Sequence, residues 1–152
     1  MTKHPLLIVL LAVSVLFLTG AGTQAQPVPQ RGDLTVIVTG LKNNSGVVRI
    51  GLNNTKKNYL SRGSLPSFRA GVCAIENNTA RHVFRDIPAG EYTIKLYHDE
   101  NNNDTVDANM LGIPREAYAF SNNVRGVLGL PRYEKAKFAF NAPAMTMEIA
   151  IR

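Results

Sequence analysis

From Leu34 onward, apolar residues recur at every second position in short runs broken by Asn, Gly and Pro. A chain patterned this way buries one side of each run by pairing the runs into sheets. Leu34, Val36 and Val38 make the first run, ended by the turn-forming stretch 41–46. Residues 47–53 make the second, and the two are expected as a hairpin. Residues 71–76 and 79–84 follow, joined by Asn77-Asn78, and residues 91–97 place Tyr92, Ile94 and Leu96 on one face. Residues 136–140 and 145–151 are expected as a last hairpin around Asn141-Ala142-Pro143. Helical periodicity is absent over any useful length, with room for one short helical turn at 115–120.

Such spacing predicts an all-β fold, a single antiparallel β-sandwich of about seven strands with one long ordered loop. A local motif sharpens that expectation. Asp86-Ile87-Pro88-Ala89-Gly90-Glu91-Tyr92 has the spacing of a corner at which a strand is entered from a turn. There a tyrosine hydroxyl bonds back to the turn's backbone and satisfies a polar group that the corner would otherwise bury. The motif resembles the D-x-P-x-G-x-Y turn of transthyretin-like and collagen-adhesin-B-type domains. It implies an immunoglobulin-like or transthyretin-like sandwich, with structural roles for Pro88, Gly90 and Tyr92.

The chain begins with Lys3, an apolar run from Leu6 to Leu18 and small residues before Gln26. Residues 1–25 are read as a signal peptide, 26–32 as a disordered leader and 33–152 as the domain. The expected location is therefore periplasmic or secreted, with no stable membrane span after cleavage. A formal charge of +6 is unevenly placed, with Lys42, Arg49, Arg69 and Arg81 early and Asp99, Glu100, Asp104 and Asp107 late. The expected partners are an anionic envelope polymer or another exported protein, and an exported chain without a binding motif excludes nucleic acid. Cys73 is the only cysteine, so no internal disulfide forms, and its apolar neighbours fit a buried small residue.

Between Tyr97 and Ala136 no strand pattern is visible, and a loop of that length needs something to organise it. One candidate is a hard cation such as calcium. Asp99, Asn101 and Asn103 stand at the first, third and fifth positions of a calcium loop, Thr105 at the seventh and Asp107 at the ninth. Asp104 replaces the sixth-position glycine and Met110 the closing glutamate, which leaves Glu116 to complete the shell. The alternative is a solvated turn. Arg115, Tyr118, Phe120 and Asn122 are candidates for contacting a ligand, or for packing the loop down. An enzyme would use His98 beside Asp99, or His82 with a nearby acid, as general base and Glu116 as partner. No nucleophile motif, metal-hydrolase histidine pair or phosphate loop accompanies them. The expectation is a non-catalytic module, with a purely structural interaction domain as a further alternative.

The composite Tyr97-His98-Asp99-x-Asn101-x-Asn103, Asp107, Gly112-Ile113-Pro114-x-Glu116-x-Tyr118-x-Phe120-Ser121-Asn122, Pro131 and Ala136-x-Phe138 resembles the bacterial secreted family called domain of unknown function 2141. The resemblance runs from about Leu34 to Ile151 and implies an exported β-sandwich domain, bringing no reaction or ligand with it. Members of that family usually carry Gly where this chain has Asp104.

Overall fold

A computed structural model describes residues 31–61, 67–127, 129–141 and 143–152. The expected signal peptide, and residues 26–30 of the leader, lie outside the described residues. The fold is predominantly β and consists of two sheets.

Strand β1 (Arg31–Thr39) starts inside the expected leader, because Arg31 and Gly32 already pair with Pro88 and Ile87. It is followed by β2 (Val47–Asn53), the one-turn helix α1 (Lys56–Leu60), β3 (Arg69–Cys73), β4 (Ile75–Glu76), β5 (Thr79–Pro88) and β6 (Gly90–Asp99). Then come β7 (Tyr118–Phe120), a 3-10 turn (Ser121–Asn123), α2 (Tyr133–Ala136), β8 (Phe138–Phe140) and β9 (Ala144–Ala150). One sheet has the order β4-β5-β1-β9, the other β3-β2-β6-β7, with β8 also pairing β6.

Several expected pairings are corrected. β1 and β2 do not form a hairpin: β1 lies between β5 and β9, while β2 lies between β3 and β6. Both strands have a face in the one core, and the stretch between them carries the chain from one sheet to the other. The run 71–76 divides at Ala74, its first part joining β2 and its second joining β5. β8 and β9 likewise part company, β8 pairing with β6 and β9 with β1. The β1–β9 pair is parallel, so the assembly is not wholly antiparallel. Instead of a helical turn at 115–120 there is β7, drawn into extended form by pairing with Lys95, Leu96 and Tyr97. One pairing follows its turn chemistry closely: Asn77 and Asn78 both take left-handed backbone (φ 51° and 57°), as a two-residue hairpin requires.

A single large core is shared by both sheets, with Leu34, Val36 and Val38 from β1, Val48, Ile50 and Leu52 from β2, and Ile94 and Leu96 from β6. At the entry to β6 the Tyr92 hydroxyl donates to the Pro88 carbonyl at 2.7 Å. Among the described residues no helix is long and apolar enough to cross a membrane.

β6 differs from its neighbours in being buried on both sides, from Tyr92 to Asp99. Its outer side carries Thr93, Lys95, Tyr97 and Asp99, and the short helices and the long loop lie over it. A satellite cluster of Tyr59, Phe120 and Ala136 packs there, with Tyr59 donating to the Pro131 carbonyl at 2.8 Å.

Candidate functional site

The segment between β6 and β7 is held by two carboxylates that face inward. Asp99, with no solvent exposure, ends β6. One of its oxygens accepts from the Asn103 amide at 3.0 Å. The other accepts from the Asp104 amide at 3.1 Å and from Arg49 Nε at 2.5 Å. Arg49 stands on the outer side of β2 and also bridges to the Asp104 carboxylate. Burial opposes the Asp99 charge, but the Arg49 bond and the two amides outweigh it and hold the carboxyl below its ordinary range. Gly46 makes this closeness possible: at φ +68° it packs on the Asp99 carbonyl, where a Cβ would come within 1.9 Å.

Glu116, also buried, is the second anchor. Its two oxygens accept from the Glu100 and Asp107 amides, each at 3.0 Å, so one side chain pins both limbs of the loop. Between the anchors Asn101 and Asn103 donate through Nδ2 to the two Asp107 oxygens at 2.8 and 2.9 Å. Their own Oδ1 atoms accept from backbone, Asn101 from the Asn103 amide and Asn103 from the Thr105 amide. Asp104 takes the left-handed conformation (φ 67°) at the position where the calcium loop has glycine.

The expected cation ligands are thus neighbours in space, but their oxygens are aimed at internal donors. Asp99 faces Arg49 and amides, Glu116 faces amides, and the Thr105 hydroxyl donates to Asn103 at 2.9 Å. Met110, at the closing position, is fully exposed. Among the described residues no three His, Cys, Asp or Glu side chains converge as a metal cluster. In this arrangement the donor set does not fit a hard cation, which wants six or more oxygens pointing at one centre.

Beyond the anchors the loop turns back on itself as a small, tight hairpin. Ala108 bridges Pro114, the Asn109 amide donates to the Ile113 carbonyl at 2.9 Å, and the Asn109 side chain accepts from the Leu111 and Ile113 amides. At its tip Met110, Leu111 and Ile113 are exposed, although their backbone is bonded. Exposed apolar side chains on an ordered hairpin are the kind of surface proteins use for docking.

The acid–base candidates do not meet. His98 is buried on the core side of β6, with Nε2 2.6 Å from the Ser45 carbonyl and Nδ1 3.8 Å from a Glu100 oxygen. The contacts of Glu116 are to backbone amides. His82 sits against Phe84, and burial lowers its pKa. The Cys73 thiol is buried and pushed up to about 11, which keeps it protonated.

The four candidate ligand contacts separate. Phe120 is buried against Tyr59, and Asn122 donates to the Lys135 and Lys137 carbonyls, tying the 3-10 turn to α2. Arg115 is exposed, and its amide donates to the Asp107 carbonyl at 2.7 Å. Tyr118 stays partly exposed beside Phe120.

Sequence reasoning missed Arg49 and Lys95. The Lys95 ammonium is buried over Tyr59 and donates to the carbonyls of Asn58, Tyr59 and Ser61 at 3.3, 2.9 and 3.0 Å, which closes the end of α1. The uneven charge distribution contained the signal for Arg49, a basic residue within a strand whose only accessible acids come fifty residues later.

Residues 36–148 match the protein family described as an uncharacterized protein conserved in bacteria, DUF2141, and the chain belongs to that family. No curated protein and no solved structure matches it.

Proposed function

We propose that this chain is an exported, non-catalytic β-sandwich module that binds another exported protein through the segment following β6, with the Met110–Ile113 tip making first contact. One observation carries the reading. The segment's ionisable anchors, Asp99 and Glu116, are consumed in holding its backbone, while its apolar tip is rigid and turned to solvent. Preorganising a loop in this way lowers the ordering entropy that binding would otherwise cost. An acidic surround of Glu100, Asp104 and Asp107 favours a protein hollow with basic edges over an anionic surface. Arg49 takes the organising role that the spacing suggested for calcium. Two sheets with a common core and the Tyr92 corner support the sandwich reading, and the apolar start of the chain supports export.

A photo-crosslinking residue at Leu111, with the protein expressed in its exporting cell, tests the proposal. A single protein adduct of defined mass is expected, lost when Met110 and Ile113 are changed to Ser. Adducts to lipid alone, or none, would overturn it. Substrate turnover by the purified protein that disappears in His98→Gln would favour an enzyme instead.

A further inference from the structure

A second feature lies on the other side of β7, apart from the tip, and does not depend on the reading above. A cleft of about 170 Å³ opens where β7 and the 3-10 turn meet the end of β9, lined by Tyr118, Val124, Arg125, Gly126, Ala150 and Arg152. It has room for roughly five waters, the size of a small charged fragment and not of a polymer chain. Neither arginine has an acidic partner among the described residues. The nearest acid on β9, Glu148, accepts from the Thr39 hydroxyl at 3.1 Å and does not line the cleft.

Two unpaired guanidinium groups rarely share a small cleft without a use, because their repulsion is uncompensated until an anion enters. Here the backbone brings them together on purpose-built contacts. Asn123, in left-handed conformation (φ 52°), accepts from the Ala150 amide at 2.8 Å and donates to the Glu148 carbonyl at 3.3 Å. This two-pronged bond fastens the segment bearing Arg125 to the strand leading to Arg152. Gly126 then lies so close to the Gly129 carbonyl that a Cβ would fall 1.8 Å from it. Tyr118 supplies an aromatic wall, and the rim is otherwise polar.

We infer that the cleft binds the carboxylate of an acidic sugar, with Arg125 and Arg152 taking the two oxygens and the sugar ring lying against Tyr118. A planar carboxylate matches the fork of a guanidinium, and an apolar sugar face stacks on an aromatic ring. Asn123 is a positioning residue. Sites of this size and exposure bind weakly, on the order of millimolar.

Amide NMR titrations of the purified protein at low salt test this, with glucuronate, glucose and inorganic phosphate as probes. Glucuronate is expected to shift the amides of Tyr118, Gly126 and Ala150 with saturation, and glucose to leave them unmoved. Arg125→Gln with Arg152→Gln should weaken glucuronate about tenfold while the remaining spectrum stays native. Tyr118→Ala should weaken glucuronate severalfold and leave phosphate unchanged, which separates ring stacking from charge. Glucuronate binding that survives the double substitution, phosphate binding as tight as glucuronate, or no saturable shift at these amides would each overturn the assignment.

Discussion

The two faces of β6 are both buried, and they are buried by different physics. On the inner face Tyr92, Ile94 and Leu96 enter a core that needs only apolar neighbours of fitting shape. On the outer face Lys95 and Asp99 are shut away from water and tolerated because each polar atom has a named partner. The inner face specifies that the sheets stack. The outer face specifies which loop lies on them and in what shape. Hydrophobic burial tolerates many sequences, whereas a buried charge tolerates few neighbours.

Removing one partner on the outer face gives the largest expected effect. Arg49→Ala leaves the Asp99 carboxylate buried with only two amides and should cost about 3–4 kcal/mol. Ile94→Ala on the inner face should cost about 3 kcal/mol by lost burial and cavity formation. The two differ in kind: Arg49→Ala should release hydrogen-exchange protection first in residues 99–116, Ile94→Ala across both sheets. Denaturant unfolding with amide exchange reads both. A cost below about 1 kcal/mol for Arg49→Ala would mean that the outer face is decoration.

Acid should separate the faces in sequence. Burial lowers the His82 pKa, so the unfolded chain binds this proton more readily and stability falls as pH drops below the ordinary value of 6.5. Asp99 is held below its ordinary value of 3.8, so its contribution is present above that pH and is lost as pH falls through the lower folded value. Unfolding free energies from pH 8 to 3 should thus decline in two stages, and His82→Phe should remove the first alone. A smaller effect, about 1 kcal/mol, is expected of Tyr92→Phe, which deletes the bond to Pro88 and leaves the ring packed. Smallest of all is the response to calcium: with Arg49 closing the loop, millimolar calcium against chelator should move the melting temperature by less than about 1 °C. A stabilisation of several degrees, abolished by Asp107→Ala, would restore the cation to its organising role.

The inner face was legible because alternation of Tyr92, Ile94 and Leu96 is a property of neighbours in the chain. The strands themselves were read largely in place for the same reason. Their partners were not, since alternation in 34–39 and 47–53 is equally compatible with a hairpin and with membership of two sheets. The outer face was opaque. Thr93, Lys95 and Asp99 look like the solvated side of a strand until α1 and the loop are laid over them, and nothing local announces that Arg49 will cap an aspartate fifty residues away. The spacing of Asp99, Asn101 and Asn103 correctly marked a curled loop with inward oxygens. It did not reveal that backbone amides and a guanidinium would take those oxygens.

The parallel pairing of β1 with β9 has a mechanical consequence. Asp33 stands beside Ala144 and Thr39 beside Ala150, so Arg31 and Ala150 lie at opposite ends of the ribbon. Tension applied between those two points loads its hydrogen bonds side by side, in shear, where an antiparallel hairpin would open one bond at a time. Resistance to pulling is governed by the rate of unfolding and not by equilibrium stability. Stretched in a single-molecule instrument from these points, the domain should yield abruptly at a high force. Pulled instead from Asn77 and Arg31, across the antiparallel β4–β5 and β1–β5 edges, it should peel at a lower one.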